Sequence, residues 1–116
     1  MIYYKSDLHE EDTKFLLGKF NKKDVMQDVE YGVFSYIVGA IYKAEQIAKA
    51  IDEDGNINLD DLYEIIEVFS ASEKVMIRFA LQCFNSSIDD IKFSEVMRAL
   101  DNENTIVIKQ AIEIRY

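Results

Sequence analysis

Apolar residues recur along most of this chain at spacings of three and four, the period of helices that each bury one face. The clearest run is Val29, Val33, Ile37, Ala40, Ile41, Ala44, Ala48 and Ile51, which predicts a single long helix near 29–50, of roughly six turns. Tyr36 and Ile47 widen its apolar face, so this helix is expected at the centre of the fold. Gly32 and Gly39 lie inside it, where each costs about 1 kcal/mol relative to alanine. Close approach of a neighbouring helix is the expected reason for both.

Ile2-Tyr3-Tyr4 reads as a short extended entry. Ser6 is then an N-cap, and Asp7, Glu10 and Glu11 suit the positive end of a helix over 7–20. Leu8, Phe15, Leu16 and Phe20 form its apolar stripe, and Asn21-Lys22-Lys23-Asp24 is a polar connection. The strongest turn signal is Asp52-Glu53-Asp54-Gly55-Asn56. Asn58 caps a helix over about 59–68, carried by Leu59, Leu62, Ile65, Ile66 and Phe69. Ser70 and Glu73 have the spacing of a capping box that opens a helix over 72–85. Its inward face holds Val75, Met76, Phe79, Ala80, Cys83 and Phe84, and Asn85-Ser86-Ser87 stops it. Phe93, Val96, Met97 and Leu100 suit a short helix starting near Ser94. Asp101 or Asn102 caps a last helix across about 103–114. Ile106, Ile108, Ile112 and Ile114 also alternate as in a strand, and β-branched residues are frequent there. Helix is preferred because no second convincing strand is available as a partner. The expected fold is all-α: one compact domain, 1–116, of five or six helices, with the C-terminal segment as a possible strand.

Composition narrows the class. With 116 residues, 49% hydrophobic and 30% charged, the chain can bury a core without disulfides or a metal. There is no proline, and there are only four glycines, so long helices meet few interruptions. A single cysteine excludes an internal disulfide. The apolar stretch from Val29 to Ala44 is broken by Glu30, Ser35 and Lys43, which argues against a membrane span. Met1 to Glu10 lacks the basic start and apolar run of a signal peptide, so a cytoplasmic protein is expected. The net charge of −9 opposes direct binding to nucleic-acid phosphates. Residues 1–58 carry 7 basic and 11 acidic groups and residues 59–116 carry 6 and 11, so charge does not divide the chain.

Three separated stretches carry a resemblance. They are Tyr4-x-Ser6-x-x-His9 with Phe15-Leu16, then Phe79-Ala80-Leu81-x-x-Phe84-Asn85, then Leu100-Asp101 with Gln110-Ala111-Ile112-x-Ile114-Arg115-Tyr116. Together they resemble a family of small uncharacterised proteins, a domain of unknown function, found in Firmicutes and their prophages or mobile elements. The resemblance spans nearly the whole chain and implies a one-domain bacterial cytoplasmic protein, expressed from a prophage or similar element. The family supplies no activity.

Four features invite chemistry. The segment Asp52 to Asp61 resembles part of an EF-hand loop, in which oxygen ligands alternate and a glycine makes the sharp turn. With Gly55 sixth, Asp52, Asp54, Asn56 and Asp61 fall at ligand positions, but Ala50 replaces the first ligand and Asp61 is shorter than the usual glutamate. A turn between helices with solvated acids is preferred to a cation site. His9, the only histidine, lies amid Asp7, Glu10, Glu11 and Asp12, where carboxylates favour its protonated form; it is expected at the surface or in a cap. Cys83 belongs on an apolar face and is expected in the core. Between Lys49 and Lys74 there is no basic residue, while Asp52, Glu53, Asp54, Asp60, Asp61, Glu64, Glu67 and Glu73 are acidic. Asp60, Glu64 and Glu67 share one helix face and form the candidate docking surface for a basic protein partner. No catalytic residue and no cofactor is assigned. A non-enzymatic interaction or accessory protein is the leading reading, and membrane and nucleic-acid partners are not expected. The alternatives are an enzyme built around His9 and carboxylates, or a degenerate EF-hand-like cation-binding module.

Overall fold

The computed structural model describes residues 2–88 and 91–116, and its regular elements are helices: α1 (Asp7–Lys19), α2 (Val29–Gly39), α3 (Ala44–Ala48), α4 (Leu59–Ile66), α5 (Ala71–Phe84), α6 (Phe93–Ala99) and α7 (Asn102–Arg115). The starts of four are fixed by polar caps. Ser6 accepts from the His9 N–H at 3.0 Å, Asn58 from the Asp61 N–H at 3.0 Å and Asp101 from the Asn104 N–H at 2.8 Å. At α5 the capping box is reciprocal. Ser70 Oγ accepts from the Glu73 N–H, and the Ser70 N–H donates to the Glu73 carboxylate at 2.9 Å. Each bond satisfies a donor that the first helical turn would otherwise orphan. Ser70→Ala should therefore lower stability by about 1 kcal/mol. Urea unfolding tests this: the midpoint should fall while the slope stays constant.

The core is built around α2, whose residues from Gly32 onward are buried on every side. A helix apolar all round belongs inside a bundle. Here α1, α5 and α7 enclose α2, α6 packs on α5, α3 packs on α1, and α4 lies outermost against α3. Leu16, Phe34, Tyr36, Ile37, Met76, Ile77, Leu81, Val107 and Ile108 meet in one continuous cluster. The radius of gyration is 12.6 Å, close to the about 13 Å expected for a compact chain of this length.

The long helix near 29–50 is not continuous. α2 stops at Gly39, the N–H groups of Ala40, Ile41 and Tyr42 bond three residues back, and Tyr42 then takes a left-handed φ of 59°. The chain reverses and α3 begins at Ala44. A tyrosine in this region costs energy that a glycine would not. Its hydroxyl meets Ser6 Oγ at 2.7 Å, and the Lys5 ammonium sits over its ring. This break raises the helices among the described residues to seven, against the expected five or six. The C-terminal strand is likewise not formed: residues 102–115 are helical, with Val107, Ile108 and Ala111 inward. Their three- and four-residue spacing prevails over the alternation of the isoleucines, and Ile106 is exposed. Leu8, Phe15 and Phe93, expected on inward stripes, are also largely exposed.

Candidate functional site

α4 is the element with the clearest division of faces. Leu62 and Ile66 are buried, while Asp60, Asp61, Tyr63, Glu64 and Glu67 face outward. Asp60 and Asp61 stand in the first turn, where the helix dipole favours negative charge. Glu64 and Glu67 stand at the opposite end, where that dipole disfavours it. Neither they nor Asp60 form an ion pair among the described residues. Lys49 shares a shallow recess with Asp61, Glu64 and Ile65 without closing to salt-bridge distance. Val68, 88% exposed, follows immediately. The predicted docking residues Asp60, Glu64 and Glu67 are thus all solvent-facing, beside an exposed valine and tyrosine.

The turn from Asp52 to Asn58 is organised by its own backbone. Asp52 Oδ1 accepts from the N–H groups of Asp54 and Asn56, both at 2.9 Å. An antiparallel bridge pairs Ile51 with Ile57, and Gly55, at φ +80°, packs against the backbone of Phe20. Any side chain at position 55 would meet both the left-handed φ and that backbone. Asp52, Asp54 and Asn56 stay in this turn, whereas Asp61 belongs to the first turn of α4. Among the described residues, no three His, Cys, Asp or Glu side chains gather as a metal-ligand set.

His9 is the largest departure from expectation. It is fully buried rather than at the surface or in a cap. Its Nδ1 accepts from the Lys5 N–H at 3.1 Å, and its Nε2 lies 2.8 Å from the Tyr36 carbonyl oxygen. A carbonyl only accepts and an N–H only donates, so the ring is neutral with its proton on Nε2. Burial, assisted by the Lys5 charge and partly offset by the bond to Tyr36, lowers its pKa to about 4. Desolvation sets the direction, opposite to the protonated form expected from the acids adjacent in sequence. The ring packs between Tyr4, edge-on at 5.1 Å, and Tyr36 at 4.9 Å. Both nitrogens are committed to backbone, so the ring offers no exposed atom to a substrate proton. Cys83 is buried as expected, and burial pushes its thiol up to about 12.

An open cleft of about 840 Å³ was not apparent from the sequence. Ile2, Tyr4, Met26 and Ile114 form its apolar lining, with Glu10, Gln110 and Glu113 among them. These residues come from the entry strap, α1, the α1–α2 connection and the end of α7, so no local motif announces them. Among the described residues no helix is long and apolar enough to cross a membrane. Comparison with protein-family models, with curated proteins and with solved structures finds no match to this chain.

Proposed function

We propose that this protein acts by binding rather than by catalysis: an acidic, cytoplasmic accessory protein of bacterial prophage or mobile-element type. Its docking surface is the outer face of α4, and its partner is a basic protein. The observation that carries this reading is the placement of Glu64 and Glu67. They are exposed at the end of a helix whose dipole opposes them, and neither closes an ion pair among the described residues, although Lys49 shares a recess with Glu64. An arriving lysine- or arginine-rich surface would relieve that repulsion and could cover Val68 in the same contact. At physiological salt the screening length is about 8 Å, so only carboxylates clustered as these are would act together on a partner.

The test is to recover a binder from the bacterial host by pull-down, purify it, and measure association with the variant Asp60→Asn, Glu64→Gln, Glu67→Gln. Association should slow about tenfold at low salt, and the dependence of its rate on salt should flatten. Stability should stay within about 0.5 kcal/mol of the parent, because the three side chains are exposed. Unchanged affinity with an unchanged salt slope would leave the face as ordinary solvated surface.

A further inference from the structure

Residues 2–6 form a strap that belongs to no helix and is fastened to four parts of the chain, α1, α2, α7 and the turn at Tyr42. The Tyr36 hydroxyl donates to the Tyr3 carbonyl, and the Tyr3 N–H donates to Gln110 Oε1 at 3.0 Å. Lys5 Nζ reaches Asn104 Oδ1 at 2.9 Å, and Ser6 Oγ meets the Tyr42 hydroxyl. Towards α1, Ser6 accepts from the N–H groups of His9 and Glu10, and the Lys5 N–H donates to His9 Nδ1. We propose that His9 is a proton-operated latch: a proton added to its ring frees the strap while the ring's bond to α2 stays made.

The asymmetry lies in what each ring nitrogen meets. On Nε2 the proton is already present and directed at the Tyr36 carbonyl, so charging the ring leaves that bond intact. On Nδ1 a new N–H of the buried ring would face the Lys5 N–H, donor against donor. The conflict therefore falls on the strap alone. The titratable groups around the ring are Tyr4 and Lys5 on the strap, Tyr36 on α2, and Glu10 one residue along α1, which faces Tyr4. α7 contributes neutral Gln110 and Asn104 to the strap. On α7, Gln110 also meets the Glu113 carboxylate at 3.4 Å. Acid leaves the tyrosines neutral and Lys5 charged, so His9, Glu10 and Glu113 are the groups to separate by experiment. Burial holds the ring's pKa in place at about 4, below its ordinary 6.5, so the neutral ring that accepts from the strap prevails at neutral pH. That preference is lost as pH falls from 6.5 to about 4. Ile2 and Tyr4 line the 840 Å³ cleft, so release removes one of its walls.

Amide hydrogen exchange followed by NMR, corrected for intrinsic rates, reads the latch in the intact chain. Protection of the Lys5 N–H should fall about ten- to a hundredfold between pH 7 and pH 4, while protection within α2 holds. His9→Gln, which has a donor and an acceptor but no charge, should abolish that fall, and Glu10→Gln and Glu113→Gln should each preserve it. The latch is refuted by pH-independent protection of Lys5 in the parent. It is equally refuted by the same fall in His9→Gln, by loss of the fall in Glu10→Gln or Glu113→Gln, or by α2 opening together with the strap. Should His9→Gln not fold, the ring ¹⁵N shifts of the parent decide. Protonation of Nδ1 must share its midpoint with Lys5 exposure, and a separation of more than about one pH unit overturns the proposal.

Discussion

Phe34→Ala should cost about 3–5 kcal/mol in chemical denaturation. The side chain has no exposed surface and stands where three parts of the chain meet. Its ring is edge-on to Phe20, beyond the end of α1, with centroids 5.7 Å apart, and 6.1 Å from Phe84 at the end of α5. Tyr31, one turn earlier on α2, contacts both of those rings at 5.0 Å. Removing Phe34 leaves a hole walled by rigid aromatic side chains, and such a hole collapses poorly. The lost transfer energy and the cavity therefore add. A measured loss below about 1 kcal/mol would mean that this cluster is not the joint between α2 and α5.

Gly32→Ala should be similarly damaging, although alanine is the better helix former by about 0.8–1 kcal/mol. A methyl group at position 32 would overlap the Val25 carbonyl oxygen and lie 2.7 Å from its carbonyl carbon. These are backbone atoms and cannot turn aside, so the connection before α2 must move. Overpacking of this kind commonly costs 1–3 kcal/mol, and here the expected net loss is about 3 kcal/mol. Gly18 provides the contrast. A methyl there meets nothing within 4 Å, so Gly18→Ala should be neutral or should stabilise by up to about 1 kcal/mol. In thermal or urea unfolding the midpoint should fall for Gly32→Ala and hold or rise for Gly18→Ala, and equal shifts would contradict this packing.

These cases show what a linear pattern carries. Caps are local chemistry between residues three apart, so Ser6, Asn58, Ser70 and Asp101 were all readable before any fold was known. The two glycines were legible as close approaches. At Gly39 the neighbour is α1 through Thr13, as expected, whereas at Gly32 it is the Val25 connection. The break after Gly39 was hidden because the apolar spacing continues through it and Tyr42 carries no turn signature. Ser6 and Lys5, distant in sequence, hold its side chain in place. His9 was misplaced for the same reason. Its sequence neighbours are acids, but the rings and backbone that surround it come from Tyr4, Lys5 and Tyr36. The exposure of Asp60, Glu64 and Glu67 followed from helical spacing alone.

The position of Cys83 has a practical consequence. It carries the only thiol in the chain, and its sulfur lies under the end of α7. There Arg115 donates to the Cys83 carbonyl at 2.8 Å. Thiolate is the reactive species, so a thiol held up at about 12 is almost inert to alkylating reagents at neutral pH while α7 stays seated. Each modification event then counts one release of the end of α7, where Arg115 is tied to the Cys83 carbonyl. Its rate across a denaturant series would report how often that joint opens, a built-in clock needing no engineered probe.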